Sequence, residues 1–308
     1  MQGTVTKSTG RDYDVIAENG LKYRCSIRGK IRLEGRSTTN PVAAGDKVLI
    51  EVERDLEAMI TAILPRKNYI IRKSVNLSKE AQVIASNLDQ VFLFVTLFRP
   101  QVTFGFIDRF LVTADAYDIP VNIIFSKADQ YNSREMAMVS EVRLKYDSVG
   151  YVSDTLSLTD LASVNRLQSK LTGKTSLISG HSATGKTSFI NAVIPELDLR
   201  VGELSEASGK GQHTTTFAEM FALPGGGFIL DTPGIKGFGL VDIPKDELHH
   251  HFPEFFKLLS DCKYHNCLHI KEPSCAVRNA LDKGRIPMSR YESYLSMYHD
   301  EEDKSVYR

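Results

Sequence analysis

The 308-residue chain balances 38 lysines and arginines against 38 aspartates and glutamates, so an unfocused polyanion binder is excluded and any nucleic-acid surface must be local. No apolar run approaches the roughly 20 residues of a membrane span, and a signal peptide's basic and apolar regions are not seen at the N-terminus, which makes the cytoplasm the expected compartment. With 42% hydrophobic residues the length suits two or three domains and one sizeable core.

Five short strand-like segments open the chain: Gly3 to Val5, Tyr13 to Ile16, Tyr23 to Ile27, Lys47 to Val52 and Met59 to Leu64. With Gly-rich turns between them they predict an OB-type β-barrel, a frequent carrier of nucleic-acid surfaces. Within it Lys22, Arg24, Arg28, Lys30, Arg32 and Arg36 face a single acid, Glu34. That stretch is either a solvated basic face or an RNA surface, which Arg66, Lys67, Arg72 and Lys73 would extend into the linker. Cys25 has no partner and is expected to be a small buried apolar residue.

Phe106, Ile107, Phe110, Leu111 and Ala114 recur at helical spacing and should pack on the strand Val91 to Leu97, leaving Asp108 and Arg109 on an exposed face. The buried-strand pattern Val121 to Phe125 then delivers Ser126-Lys127-Ala128-Asp129 to its carboxyl end, where ligands of open α/β sheets bind. An ionised Asp129 can accept from guanine N1–H and N2–H₂, a donor pair adenine lacks, while the Lys127 stem packs along the purine. Ser126 is shorter than an asparagine and would lose the amide that braces neighbouring loops.

The run Ser176 to Ile178 precedes Gly180-His181-Ser182-Ala183-Thr184-Gly185-Lys186-Thr187, and Ser188, Phe189 and Ile190 continue as a helix. Strand, glycine-punctuated turn and helix are the context a phosphate loop requires. Gly180 and Gly185 allow backbone N–H groups to converge on phosphate oxygens at a helix N-terminus, Lys186 would reach the β and γ phosphates, and the Thr187 hydroxyl would coordinate Mg²⁺. Downstream, Phe228 to Leu230 runs into Asp231-Thr232-Pro233-Gly234, which suits a carboxylate on Mg²⁺ and a glycine N–H on the γ-phosphate. Between them Gly209-Lys210-Gly211-Gln212-His213-Thr214-Thr215-Thr216 reads as a mobile switch with a threonine, Thr215 being favoured, to complete the Mg²⁺ shell.

His249-His250-His251 invites a metal reading, but adjacent side chains on a helix diverge, so the triplet is expected at the surface or facing RNA. Cys262, Cys267 and Cys275 form a tail cluster with His269 or His265. In a cytosolic protein three thiolates and an imidazole suit closed, structural zinc rather than disulfides.

The base-reading element lies before the phosphate loop, the reverse of the usual order. A site assembled from loops at one sheet edge survives such a permutation, which changes only the segment that leads onward. Together with Asn87-Leu88-Asp89-Gln90 opening a strand, the His213-Thr214-Thr215-Thr216 switch and the Cys/His tail, these features resemble the circularly permuted ribosome-biogenesis GTPases of the RsgA family, also called YjeQ or YloQ. Departures are Ser126 for Asn and Ala183-Thr184 inside the phosphate loop.

The resemblance implies an α/β protein with an RNA-binding OB-type barrel at 1–66, a circularly permuted P-loop GTPase domain at 67–240 and a mainly helical zinc-binding domain at 241–308. It favours His269 as the fourth zinc ligand, assigns rRNA contact to Arg24, Arg28, Lys30, Arg32 and Arg36, and makes the small ribosomal subunit with its rRNA the partner of a monomer that cycles between GTP and GDP. As in that family, His213 would be the catalytic group, since the position after Asp231-Thr232-Pro233-Gly234 is Ile235, which cannot orient water. Rival readings are a nucleotide-sensing RNA-binding adaptor with negligible turnover and an ATP-dependent enzyme, the latter disfavoured by Asp129.

Overall fold

The computed structural model describes residues 1–27, 41–73, 81–199, 219–231 and 243–299. Alternating side chains build the N-terminal strands β1 (Gln2–Ser8), β2 (Tyr13–Ala17), β3 (Lys22–Ile27), β4 (Lys47–Arg54) and β5 (Glu57–Ile63). Tyr13, Val15 and Ala17 of β2 and Tyr23 and Cys25 of β3 point inward to meet Val5, Val48, Ile50 and Ile60, while Lys22 and Arg24 stay exposed. The strands follow the order β1-β2-β3-β5-β4, and β4 returns to pair with β1. This is the expected barrel, closed so that no long edge remains. Cys25 is buried as expected, and burial, with Asp14 nearby, pushes its thiol up to about 11.

A hairpin of β6 (Tyr69–Lys73) and β7 (Ala81–Ser86) leads into the central sheet. Its strands are β8 (Gln90–Val95), β9 (Val121–Phe125), β10 (Val152–Thr155), β11 (Thr175–Gly180), β12 (Glu219–Ala222) and β13 (Phe228–Asp231). They lie in the order β10-β9-β8-β11-β13-β12, parallel except for β12. Among the described residues four helices cover this sheet: α1 (Phe104–Ala116), α2 (Ser133–Val149), α3 (Leu161–Leu171) and α4 (Lys186–Val193).

Strand β8 is buried along its whole length, as parallel strands between helical layers must be. Val91, Leu93 and Val95 pack with Phe106, Ile107, Phe110, Leu111 and Ala114 of α1. Phe92 and Phe94 point the other way, to Val164 and Leu167 of α3 and Phe189 and Ile190 of α4.

At the barrel end, β1 also pairs with β12 at Lys7 and Glu219, so one hydrogen-bonded sheet runs from barrel to core. Beside it Arg66 donates from Nε and Nη2 to both carboxylate oxygens of Asp46 at 2.6 Å, and Ser86 donates to the same carboxylate at 2.6 Å. Arg66 therefore does not extend a basic patch as expected, for its side chain is only 3% exposed. Gly45 at φ 93° is required here, because a Cβ would run into the Ser86 carbonyl. Bonds to the main chain reinforce the joint: Ser86 N–H donates to Ala44 O at 3.0 Å, and the Asn87 side-chain amide donates to Gly45 O at 3.0 Å.

At the other end, α5 (Pro253–Phe256), α6 (Ala276–Asp282) and α7 (Met288–Tyr298) gather around Leu248, Phe252, Phe255, Tyr294 and Met297, with Val112 of α1 in the same core. Asp108, expected on an exposed face of α1, is fully buried: Arg290 of α7 reaches it at 2.7 Å, and Tyr146 donates to it at 3.0 Å. Arg290 also holds both oxygens of Glu254, at 2.7 and 3.2 Å, and lies over the Phe252 ring at 4.6 Å. Helical spacing correctly identified the core face of α1, yet the C-terminal region covers the opposite face, so α1 is buried on two sides.

Candidate nucleotide site and metal centre

The phosphate loop connects β11 to α4, at the carboxyl edge of the sheet. Gly180 adopts φ 137° and Gly185 φ 90°, and a Cβ on Gly180 would collide with the Phe94 carbonyl of the adjacent strand. Ser182 and Ala183 are exposed, His181, Lys186, Thr187 and Ser188 half-buried, and Thr184 fully buried. Thr184 is held by its own hydroxyl, which donates to His181 O at 2.9 Å. The His181 ring sits edge-on to Phe106 of α1, 4.1 Å between centroids.

The Lys186 ammonium donates to the loop carbonyls Gly180 O, at 2.9 Å, and His181 O. Burial pulls its pKa down to about 8, against the opposing pull of the Asp231 carboxylate. Asp231 ends β13, paired in register with Ile178 of β11, so that carboxylate stands one strand away from the loop. Thr187 and Asp231 are thus oxygen donors on adjacent elements, a set suited to Mg²⁺. His213, Thr215 and Gly234 lie outside the described residues, as do Arg28, Lys30, Arg32 and Arg36.

Base reading would fall to the loop after β9. Lys127 takes the left-handed conformation at φ 60°, and Asp129 is exposed on a single 3-10 turn, Ala128–Gln130. Ser126 is buried and, contrary to the expectation that a serine leaves neighbouring loops unbraced, its hydroxyl donates to Thr184 O inside the phosphate loop and to Val95 O at 3.3 Å. One side chain therefore ties the base-reading loop to the phosphate loop. A further tie was not legible in the sequence: Ala128 N–H donates to Leu156 O at 3.0 Å, just past β10, and no side-chain signal marks such a main-chain contact.

In the tail, Cys262, Cys267, His269 and Cys275 present ligand atoms that all lie within 4.8 Å of one another. His269 Nδ1 faces the Cys275 and Cys262 sulfurs at 3.3 and 3.7 Å, whereas His265 is exposed. Desolvation pushes the Cys267 thiol up to about 12 and raises Cys275. Burial lowers His269 to about 4, keeping a neutral imidazole suited to ligation. A Cys₃His set is the chemistry of structural zinc, whose charge would favour the thiolate form of these sulfurs.

Of the histidine triplet, His250 is exposed as expected and His251 half-buried, but His249 departs from the expected surface position. His249 is buried with its ring 5.0 Å from that of His269, and His251 Nδ1 meets the Asp115 carboxylate of α1 at 2.9 Å. Of the barrel cations, Arg24 pairs with Asp12 at 3.0 Å and Lys22 with Asp14 at 2.8 Å. Asp14 of β2 and Asp12 just before it thus offset the first part of the basic stretch.

Comparison with known proteins agrees with this geometry. The sequence model of the RsgA GTPase family matches residues 63–241, and that of the RsgA N-terminal domain matches residues 2–60. A relative from Christiangramia forsetii named small ribosomal subunit biogenesis GTPase RsgA is 52% identical over 98% of this chain and 97% of its own. One of the same name from Bacteroides fragilis is 47% identical over 98% of both chains. Among solved structures, YjeQ from Thermotoga maritima superposes with a TM-score of 0.78 at 30% identity, covering 97% of each chain. YloQ, a circularly permuted GTPase, gives 0.76 at 25% identity, covering 98% of this chain and 95% of its own. Phosphate loop, permuted base-reading loop, barrel and Cys₃His tail together place the chain in the RsgA GTPase family.

Proposed function

We propose that this protein hydrolyses GTP to GDP and phosphate in the maturation of the small ribosomal subunit, binding rRNA and being stimulated by the subunit. The observation that carries the reading is the hydrogen bond from Ser126 to Thr184, which joins a loop suited to guanine to a loop suited to phosphate. Bound Mg²⁺ would neutralise charge developing between the β and γ phosphates.

The chain's own residues then have distinct tasks. Asp129 accepts from the guanine N1–H and N2–H₂, and Lys127 lies along the base. Loop N–H groups from His181 to Ser188 surround the phosphates. Lys186 leaves the Gly180 and His181 carbonyls for the β and γ oxygens. Thr187 and Asp231, with Thr215, would hold the metal, Gly234 N–H would meet the γ-phosphate, and His213 would orient the attacking water when the subunit docks. Ile235 offers no hydrogen bond for that task, so turnover without the subunit is slow.

Arg24, Arg28, Lys30, Arg32 and Arg36 are the proposed rRNA contacts, the first of them competing with Asp12. The domain division 1–66, 67–240 and 241–308, a monomeric state and a cytoplasmic location complete the proposal. In support of the last, no helix among the described residues is long and apolar enough to cross a membrane.

The test is steady-state GTP hydrolysis with purified small subunits titrated in, for the wild type and His213→Ala. The variant should retain GTP and subunit binding and lose most of the stimulated rate, because orienting water matters only for hydrolysis. Negligible turnover by the wild type at saturating subunit would favour the nucleotide-sensing adaptor instead.

A further inference from the structure

We infer that Arg99 is a positioning residue for guanine recognition: its guanidinium and its carbonyl together hold the base-reading loop in the shape that presents Asp129. The inference rests on the assignment of Asp129 to the base. Arg99 lies just past β8, on the segment beside the loop that follows β9. Its Nη2 donates to Gln130 O at 2.8 Å, and its own carbonyl accepts from Lys127 Nζ at 3.2 Å. The positions bonded to Arg99, 127 and 130, thus flank Asp129 on both sides.

The guanidinium is itself anchored from below. Nη1 and Nη2 fork onto the Glu135 carboxylate at 2.9 and 2.8 Å. Glu135 forms the capping box of α2 with Asn132, accepting the Asn132 N–H at 3.1 Å while its own N–H donates to the Asn132 side chain at 2.9 Å. The guanidinium carbon lies 6.0 and 5.9 Å from the rings of Phe98 and Tyr131, which meet edge to face at 5.3 Å. Tyr131 OH accepts the Leu97 N–H at 3.3 Å, a second link between the two segments.

Such a tie is needed because of the loop's backbone. Lys127 holds φ 60°, a conformation that residues with a Cβ avoid unless their surroundings impose it. Asp129 sits on the exposed single turn that follows. Only a planar fork can bond a carboxylate through two nitrogens and still donate to a main-chain carbonyl, so lysine is no substitute at position 99.

The experiment compares equilibrium binding of GDP, GTP and inosine nucleotides, plus hydrolysis at saturating GTP, for the wild type, Arg99→Ala, Arg99→Lys, Glu135→Gln and Asp129→Asn. Arg99→Ala should weaken GDP and GTP about tenfold alike, narrow the preference for guanine over inosine nucleotides, and leave the saturated rate unchanged. Arg99→Lys should behave like the alanine variant, and Glu135→Gln should move both binding readouts the same way by less. If Asp129→Asn loses guanine preference while the Arg99 and Glu135 variants keep wild-type affinity and base ratio, the positioning role is overturned and the Asp129 assignment stands. If the wild type itself shows no guanine preference, the assignment fails and the inference falls with it. Should Arg99→Ala not fold, Glu135→Gln decides the matter alone.

Discussion

Each end of the nucleotide core is sealed by a buried arginine on carboxylate, yet the two joints are built differently. At the barrel, Arg66 meets one carboxylate, Asp46, which also accepts from the Ser86 hydroxyl and, at 2.9 Å, from the Ala43 N–H. Main-chain bonds between residues 44 and 86 and the pairing of β1 with β12 cross the same boundary. At the C-terminal joint Arg290 faces two carboxylates, Asp108 of α1 and Glu254 of α5, and His251 pairs with Asp115 of α1, all through side chains. A joint bonded through its main chain can lose a side chain and keep its register. One in which two buried carboxylates share a single guanidinium is more sensitive, since its removal leaves them facing each other in a poorly solvated space.

The largest effect should come from emptying the metal centre. Structural zinc in such sites contributes ~10 to 16 kcal/mol of apparent binding free energy that is also folding free energy. Chelation or Cys267→Ala should unfold the C-terminal region, seen as protease sensitivity after residue 243, while barrel and nucleotide core keep their far-ultraviolet signal and bind GDP. A metal-free protein with a protease-resistant tail would remove zinc from the account.

The joints themselves come next. Arg290→Met should destabilise the protein by about 3 to 5 kcal/mol by breaking a buried ion network, with chemical denaturation as the measurement. Arg66→Met should lie at or below the lower end of that range, about 3 kcal/mol, because Asp46 keeps its hydroxyl and amide donors. Equal losses, or a larger one at Arg66, would break the distinction drawn between the two joints.

The smallest effect is protonic and tests whether the site is independent of the barrel joint. Lys186 has a folded pKa of about 8 against an ordinary 10.5. The folded, nucleotide-free protein therefore releases this proton before the unfolded chain does, and stability from this group rises with pH between those two values. Phosphate restores the charged form, so nucleotide binding at pH 8 should take up roughly half a proton. Calorimetric binding enthalpies in buffers of different ionisation enthalpy measure that uptake, which should be the same in Arg66→Met. No uptake would mean that Lys186 is already fully charged in the empty loop.

Much of this molecule was legible in its sequence because its signals are local. Gly180, Gly185 and Lys186 lie within one strand-turn-helix, where both glycines hold a positive φ and Gly180 also meets a close strand neighbour. Alternating residues in β2 and β3 and helical spacing in α1 report a buried face through period alone, and the Cys/His cluster is compact enough in the chain to suggest one ion. Other features depend on which distant surface arrives. Asp108 read as solvent-facing because its helix already had one apolar face, and nothing nearby in sequence announces Arg290, 182 residues later. Arg66 read as part of a basic patch until Asp46 came to meet it, and Ser126 as a lost amide until the Thr184 carbonyl lay within reach of its hydroxyl. Period and loop chemistry are properties of short segments. A buried charge is defined by its partner, and the partner is chosen only when the chain has folded.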